Sequence, residues 1–288
     1  MTNETLLSPK NDFLFKRIFA DPKNKDILED FLKSVLTIPE KEYKKITLAD
    51  PHLLRRYKQS KLGILDVRLE TLSGHAIDIE IQVKPFQGME NRIAWYNAKL
   101  YSEQPVKGDS YHGMKKAISI VICDYVIRPG DDVYHDIIHL QSSLTRWKFC
   151  DTMEIHVLEL PKVKAKQRFS GDHREEKLIQ WLRFFKAETR RDYMVLAKEN
   201  PILNRAFKII VDASGNERLR RLYDRREKAL TDMWFIKSGA FNAGLSEGRT
   251  EGAEEKARET ARKLKSMGLS VSQIAEATDL SPDSIEGL

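Results

Sequence analysis

Gly63-Ile-Leu-Asp66-Val-Arg-Leu69 is followed, across the turn Leu72-Ser-Gly-His75, by Ala76-Ile-Asp78-Ile-Glu80-Ile-Gln82-Val-Lys84. Two short runs rich in β-branched residues around a Ser-Gly turn predict a β-hairpin, with strands over 62–71 and 75–84. Successive side chains of a strand point to opposite faces. Ile77, Ile79, Ile81 and Val83 therefore form one apolar face that must enter a core. Asp78, Glu80, Gln82 and Lys84 share the other face, and Asp66 on the partner strand can point at Glu80. Carboxylates held close on rigid strands repel one another, a cost tolerated where they share a divalent cation.

Outward from the hairpin, residues 11–20 and 25–36 show helical periodicity, broken by Pro22 and Pro39. Residues 44–48 fit a short first strand. Residues 88–104 read as a helix, with Ile93, Tyr96, Leu100 and Tyr101 at helical spacing. Residues 116–125 are almost continuously apolar, as a central strand would be. Residues 132–141 and 153–160 alternate and predict two further strands. After Pro161 the pattern turns helical, over 175–186, through Lys198, through Val211 and over 217–237. From Phe241 to Gly268 a charged helix carries Gly244, Gly248 and Gly252 at four-residue intervals, each of which weakens it. Two short helices close the chain, with Ser270 or Ser272, and Ser281, as caps. The division expected is a core over 1–160, a basic helical extension packed on it over 161–240, and a charged helix with a small helical pair over 241–288.

Composition excludes several classes. No apolar run has the length of a membrane span, and the start has no signal-peptide core, so a soluble cytoplasmic protein is expected. Two cysteines, Cys123 and Cys150, make neither a disulfide framework nor a structural zinc site. The seven histidines show no metalloprotease spacing, with His135, His139 and His156 expected on strand faces. No Walker-type glycine-rich loop is present, so no nucleotide cofactor is expected. The net charge is +6, but residues 161–228 hold 19 Lys and Arg against 10 Asp and Glu. A basic half beside an acidic centre suits a polyanionic substrate, and Arg220, Arg221, Arg225 and Arg226 are the candidates to meet its phosphates.

Asp66, then thirteen residues, Glu80, one residue and Gln82 resembles the active-site signature of the PD-(D/E)XK nuclease superfamily, in which an Asp precedes an acidic-x-Lys strand. Gln82 stands where Lys is usual. The segments Ser8-Pro-Lys-Asn-Asp12-Phe-Leu-Phe-Lys16 and Arg92-Ile-Ala-Trp-Tyr96-Asn-Ala-Lys-Leu-Tyr101-Ser-Glu-Gln104 narrow the resemblance to the bacterial recombination-promoting nuclease/transposase family, over about 8–238.

The resemblance implies an α/β fold with a restriction-endonuclease-like αβββαβ core and mixed sheet, followed by a helical C-terminal region. It implies a DNA endonuclease that promotes recombination, with Asp66 and Glu80 as ligands of Mg²⁺ or Mn²⁺ and Gln82 beside them. A neutral amide can orient water or contact metal, but cannot supply the charge of Lys. Supporting candidates for that charge, or for the outer shell, are Asp12, Lys16, Asp78, Lys84, Arg92 and Gln104. No acidic triad with the long spacing of a transposase is apparent. Two other classes stay open at this point. One is a catalytically degenerate DNA-binding or interaction protein on the same fold. The other is an assembly protein whose C-terminal helices pair it with its own copies; such a homo-oligomer is also compatible with the nuclease.

Overall fold

The computed structural model describes residues 6–48, 67–85, 87–104, 111–164 and 171–288. Two helices lead the chain, α1 (Asp12–Phe19) and α2 (Lys25–Val35). The Asn11 side chain accepts from the amide of Phe13 and caps α1, while Leu14, Phe15, Ile18 and Phe19 form its buried stripe. Lys44, expected to open the first strand, instead closes a 3₁₀ turn, Glu40–Lys44, and β1 is Thr47–Leu48. The turn has a function in the fold. Glu42 is buried and accepts from Thr71 Oγ1 at 2.8 Å and from Ser73 Oγ at 2.7 Å, clasping the loop between β2 (Val67–Glu70) and β3 (Ala76–Gln82). Gly74, at φ 86°, supplies the left-handed residue of that loop.

Helix α3 (Met89–Ser102) crosses from β3 to β4 (Ala117–Cys123), and β5 (His135–Gln141) and β6 (Lys148–Glu159) form the outer hairpin. The sheet order is β1-β2-β3-β4-β6-β5. β3, β4 and β6 run parallel, and β1, β2 and β5 are antiparallel to their neighbours, so the sheet is mixed. Parallel neighbours need a crossover, and α3 provides the one between β3 and β4. β3 is covered on both sides. Ile77, Ile79 and Ile81 enter the main core with Ile118, Ile120 and Ile122 of β4. Asp78, Glu80 and Gln82 take the opposite face, where Met89 and Ile93 of α3 pack with Val121 and Cys123. The strand stops at Gln82, and Val83 is 43 % exposed, so the apolar face ends one residue pair short of the expected 84. Pro85 follows and cannot continue the ladder.

The helices after Pro161 share this core. α4 (His173–Lys186), α5 (Arg190–Glu199) and α6 (Pro201–Gly215) contribute Trp181, Phe185, Tyr193, Leu203 and Ile210 to it. Phe19, Phe31, Trp181 and Phe185 pack ring against ring, with centroids 5.4–6.2 Å apart, which ties α1 and α2 to α4. The indole N–H of Trp181 donates to Asp30 at 3.0 Å.

α7 (Glu217–Ser266) runs 50 residues, far beyond the expected end near 237, and passes Gly244, Gly248 and Gly252 without a break. The chain divides into two compact units within it, Met1–Arg226 and Glu227–Leu288. In the second unit, α8 (Val271–Thr278) and α9 (Pro282–Glu286) bring Ile274 and Ile285 against Ala261 of α7. Ser270 caps α8 in a reciprocal pair with Gln273, and Ser281 caps α9. Among the described residues, no helix is long and apolar enough to cross a membrane.

Candidate active site

The end of β3 gathers the site. Glu80 is buried at 3 % exposure, and the Gln82 amide donates to its Oε2 at 2.9 Å. This bond fixes the donor end of the amide on the carboxylate. Arg92, on the first turn of α3, brings a guanidinium nitrogen to 3.9 Å from the same Glu80 oxygen. Its charge also lies over the Tyr96 ring, 5.4 Å from the centroid. A carboxylate, an amide and a cation thus meet on one sheet face, near the C-terminal ends of two parallel strands.

Asp78 lies deeper on that face, 1 % exposed. Burial raises its carboxyl to about 7, against the pull of the hydrogen bond from Ser119 Oγ at 2.7 Å. Ser119 Oγ in turn accepts from Asn97 Nδ2 at 3.1 Å. Asn97, fully buried, also donates to the carbonyls of Ala117 and Glu154, both at 3.1 Å. Helix α3 is therefore pinned through one amide to β4 and β6, beneath the position of Glu80. Neither Asn97 nor Ser119 was among the residues singled out from sequence. The available signal was a polar residue at 97 within the apolar helical stripe 93, 96, 97 and 100.

The other sequence candidates are placed as follows. Asp66 lies outside the described residues. Lys84 is exposed beyond the strand end. Asp12 is held by Arg226 at 2.6 Å, with Lys16 at 3.8 Å, in an ion-pair cluster. The N-terminal motif also brings Lys10 close to the end of β3. Lys10 pairs with Asp124 at 2.6 Å, and the Asp124 amide donates to the Gln82 carbonyl at 2.9 Å. Gln104 clamps the Lys115 backbone with two 2.8 Å hydrogen bonds just before β4. It therefore stands at the far end of the sheet from Gln82, whose partner is Cys123 at the close of β4. In the basic segment, Arg220 donates to the Ser214 carbonyl, Arg221 pairs with Glu217, and Arg226 pairs with Asp12. Arg225 is exposed.

Among the described residues, no three metal-ligating side chains cluster. The only groups of Glu80 and Gln82 that can ligate a metal are nonetheless oxygens, a carboxylate and an amide carbonyl, the set preferred by hard divalent cations such as Mg²⁺ and Mn²⁺. Burial of Glu80 beneath α3 also gives the low-dielectric surroundings in which such a charge interaction is strong.

No curated protein and no solved structure matches the chain. The family model described as PD-(D/E)XK nuclease family transposase matches residues 9–240, most of the chain and the whole of the sheet with its covering helices. With a mixed sheet carrying an acidic residue and Gln82 at the end of β3, the chain belongs to the PD-(D/E)XK nuclease family transposases.

Proposed function

We infer that the protein is a divalent-metal-dependent endonuclease that hydrolyses phosphodiester bonds in DNA and thereby promotes recombination. The observation that carries this reading is the buried Glu80–Gln82 pair at 2.9 Å, with Arg92 beside it, on the strand where the family keeps its catalytic acid and lysine. Glu80 and Asp66 would hold Mg²⁺ or Mn²⁺, with the carbonyl oxygen of Gln82 available to the cation or to water. When bound, such an ion polarises a phosphoryl oxygen and makes water a better nucleophile. Gln82 orients the attacking water by accepting its proton-bearing side. Arg92 balances the carboxylate in the resting site and can turn towards the charge that grows on the phosphate oxygens. Burial raises the Asp78 carboxyl to about 7, so near neutral pH it carries only part of its negative charge. The protein would act in the cytoplasm on chromosomal or invading DNA. One carboxylate site per chain cuts one strand, so double-strand cleavage calls for two copies, and Phe241 and Leu245, exposed on α7, offer apolar contacts for pairing.

The test is nicking of supercoiled plasmid with Mg²⁺, Mn²⁺, Ca²⁺ or chelator. Cleavage that needs Mg²⁺ or Mn²⁺ and stops with chelator supports the nuclease. The second reading, a degenerate fold that binds DNA without cutting it, is favoured by the neutral Gln82 in the lysine position. It predicts DNA binding with no cleavage under any of these conditions.

A further inference from the structure

The hairpin of β5 and β6 ends in a tip that the nuclease reading leaves unused. Beyond the last ladder pair, Gln141 with Lys148, the chain turns through Ser142 to Trp147, closed by a 2.8 Å hydrogen bond from the Ser142 amide to the Trp147 carbonyl. Arg146 takes a left-handed conformation, φ 59°, within it. Leu144 is 91 % exposed, Trp147 63 % and Phe149 70 %. The two rings stand edge to face, 5.6 Å apart, and so are held as one platform. Arg146 and Lys148 alternate with these side chains, and residues 137–150 contain no Asp or Glu. Neither cation is paired with a carboxylate among the described residues. Proteins seldom leave a contiguous apolar patch in water unless it meets a partner.

We propose that this tip is a second contact with duplex DNA, in which Trp147, Phe149 and Leu144 press against the base stack or sugar edges while Arg146 and Lys148 hold phosphates. The proposal rests on the reading of DNA as substrate. Charge decides the class of partner, since two cations unpaired among the described residues, beside exposed apolar side chains, match a duplex whose phosphates attract the cations and whose groove admits apolar wedges. A second copy of the chain is the poorer fit. Pairing β5 edge to edge would cover the strand but leave Leu144 and Trp147, beyond the ladder, still in water. The spacing is also suitable. Glu80 is in register with Val121, and Val121 with Val157. From Val157 to Lys148 along β6 is roughly 30 Å at about 3.3 Å per residue. The tip lies beyond the N-terminal end of β6, at the end of the sheet away from Gln82, so a duplex lying along the strand direction would span both places in about one turn, about 34 Å.

The experiment uses full-length protein in chelator and a fluorescent duplex of about three helical turns, read by anisotropy over a range of salt. Trp147→Ala/Phe149→Ala and, separately, Leu144→Ala test the apolar platform. Arg146→Ala/Lys148→Ala tests the cations. The ring pair variant is expected to weaken binding by about tenfold, and the cation variant to reduce the salt slope by about 2. Thermal unfolding should be unchanged, because all five side chains are outside the core. Folded variants that bind as wild type does, with the same salt slope, would overturn the proposal. So would variants that change only sedimentation, which would assign the tip to a second copy. Hairpin-dependent binding without plasmid cleavage would defeat the nuclease reading alone; cleavage with hairpin-independent binding would defeat this proposal alone.

Discussion

Asn97 has two amide hydrogens and three acceptors, Ala117 O, Ser119 Oγ and Glu154 O, all at 3.1 Å and all buried with it. An unsatisfied buried polar group costs about 1–3 kcal/mol. Asn97→Ala is therefore expected to lower stability by about 2–3 kcal/mol in urea unfolding, and an unchanged midpoint would show that the amide is not what pins α3. At Gln82 the expectation concerns rate. Gln82→Leu removes the hydrogen bond to Glu80 and the amide oxygen, at a partly exposed position. Cleavage should slow by roughly 10²-fold while duplex affinity holds. Unaltered cleavage would mean that the amide is a bystander. These residues were unequally legible in the sequence. Glu80 and Gln82 stood out because strand alternation and the spacing from Asp66 act locally. The Asn97–Ser119–Asp78 chain joins three elements across 41 residues, and no local pattern records such a contact.

The outer hairpin carries a relay of its own on the sheet face opposite Asp78 and Glu80. His135 Nε2 lies 2.8 Å from His156 Nδ1, and His156 Nε2 lies 2.9 Å from Glu154. A carboxylate can only accept, so His156 carries its hydrogen on Nε2 and accepts at Nδ1 from His135. Burial, aided by His156 and Arg174, pushes His135 down to about 3. The unfolded chain takes up this proton near pH 6.5 and the folded chain only near 3, so stability falls as pH drops through that window. Glu154 follows at lower pH. Burial pushes it up, but hydrogen bonds from His156 and Lys116 prevail and hold it near 2, so its contribution is present above 4.5 and is lost below. Asp78 opposes both, because its proton is kept up to about 7 in the fold and only to 3.8 without it. His135→Gln should therefore flatten the decline of unfolding free energy between pH 6.5 and 4.5, relative to wild type. Parallel pH profiles would remove His135 from this role. At this scale the strands were legible from alternation, and β4 from its unbroken apolar run. The parallel pairing of β3 with β4 and of β4 with β6 was not, because register between distant segments is set by packing. The length of α7 was obscured by its glycines, each of which lowers helix propensity without forbidding the helix.

At the scale of the whole chain, the main core takes its last buried residue from Tyr223, and the first compact unit closes at Arg226. Removing residues from 244 onward takes away only parts of the second unit, whose core is the small cluster of Ala261, Ile274 and Ile285. The shortened chain is expected to unfold cooperatively near the wild-type temperature and to keep metal-dependent cleavage, while sedimentation reports any loss of self-association. An unfolded product would show that the C-terminal helices are required by the nuclease unit. The most direct test of the account is plasmid cleavage in Mg²⁺ by purified Glu80→Ala beside wild type, with circular dichroism and duplex affinity measured on the same samples. Glu80 is a buried charge whose removal relieves a desolvation cost, so the account predicts a folded, DNA-binding protein whose cleavage falls by more than about 10²-fold, the upper range for loss of an outer-shell partner. Wild-type cleavage by the folded variant would contradict it.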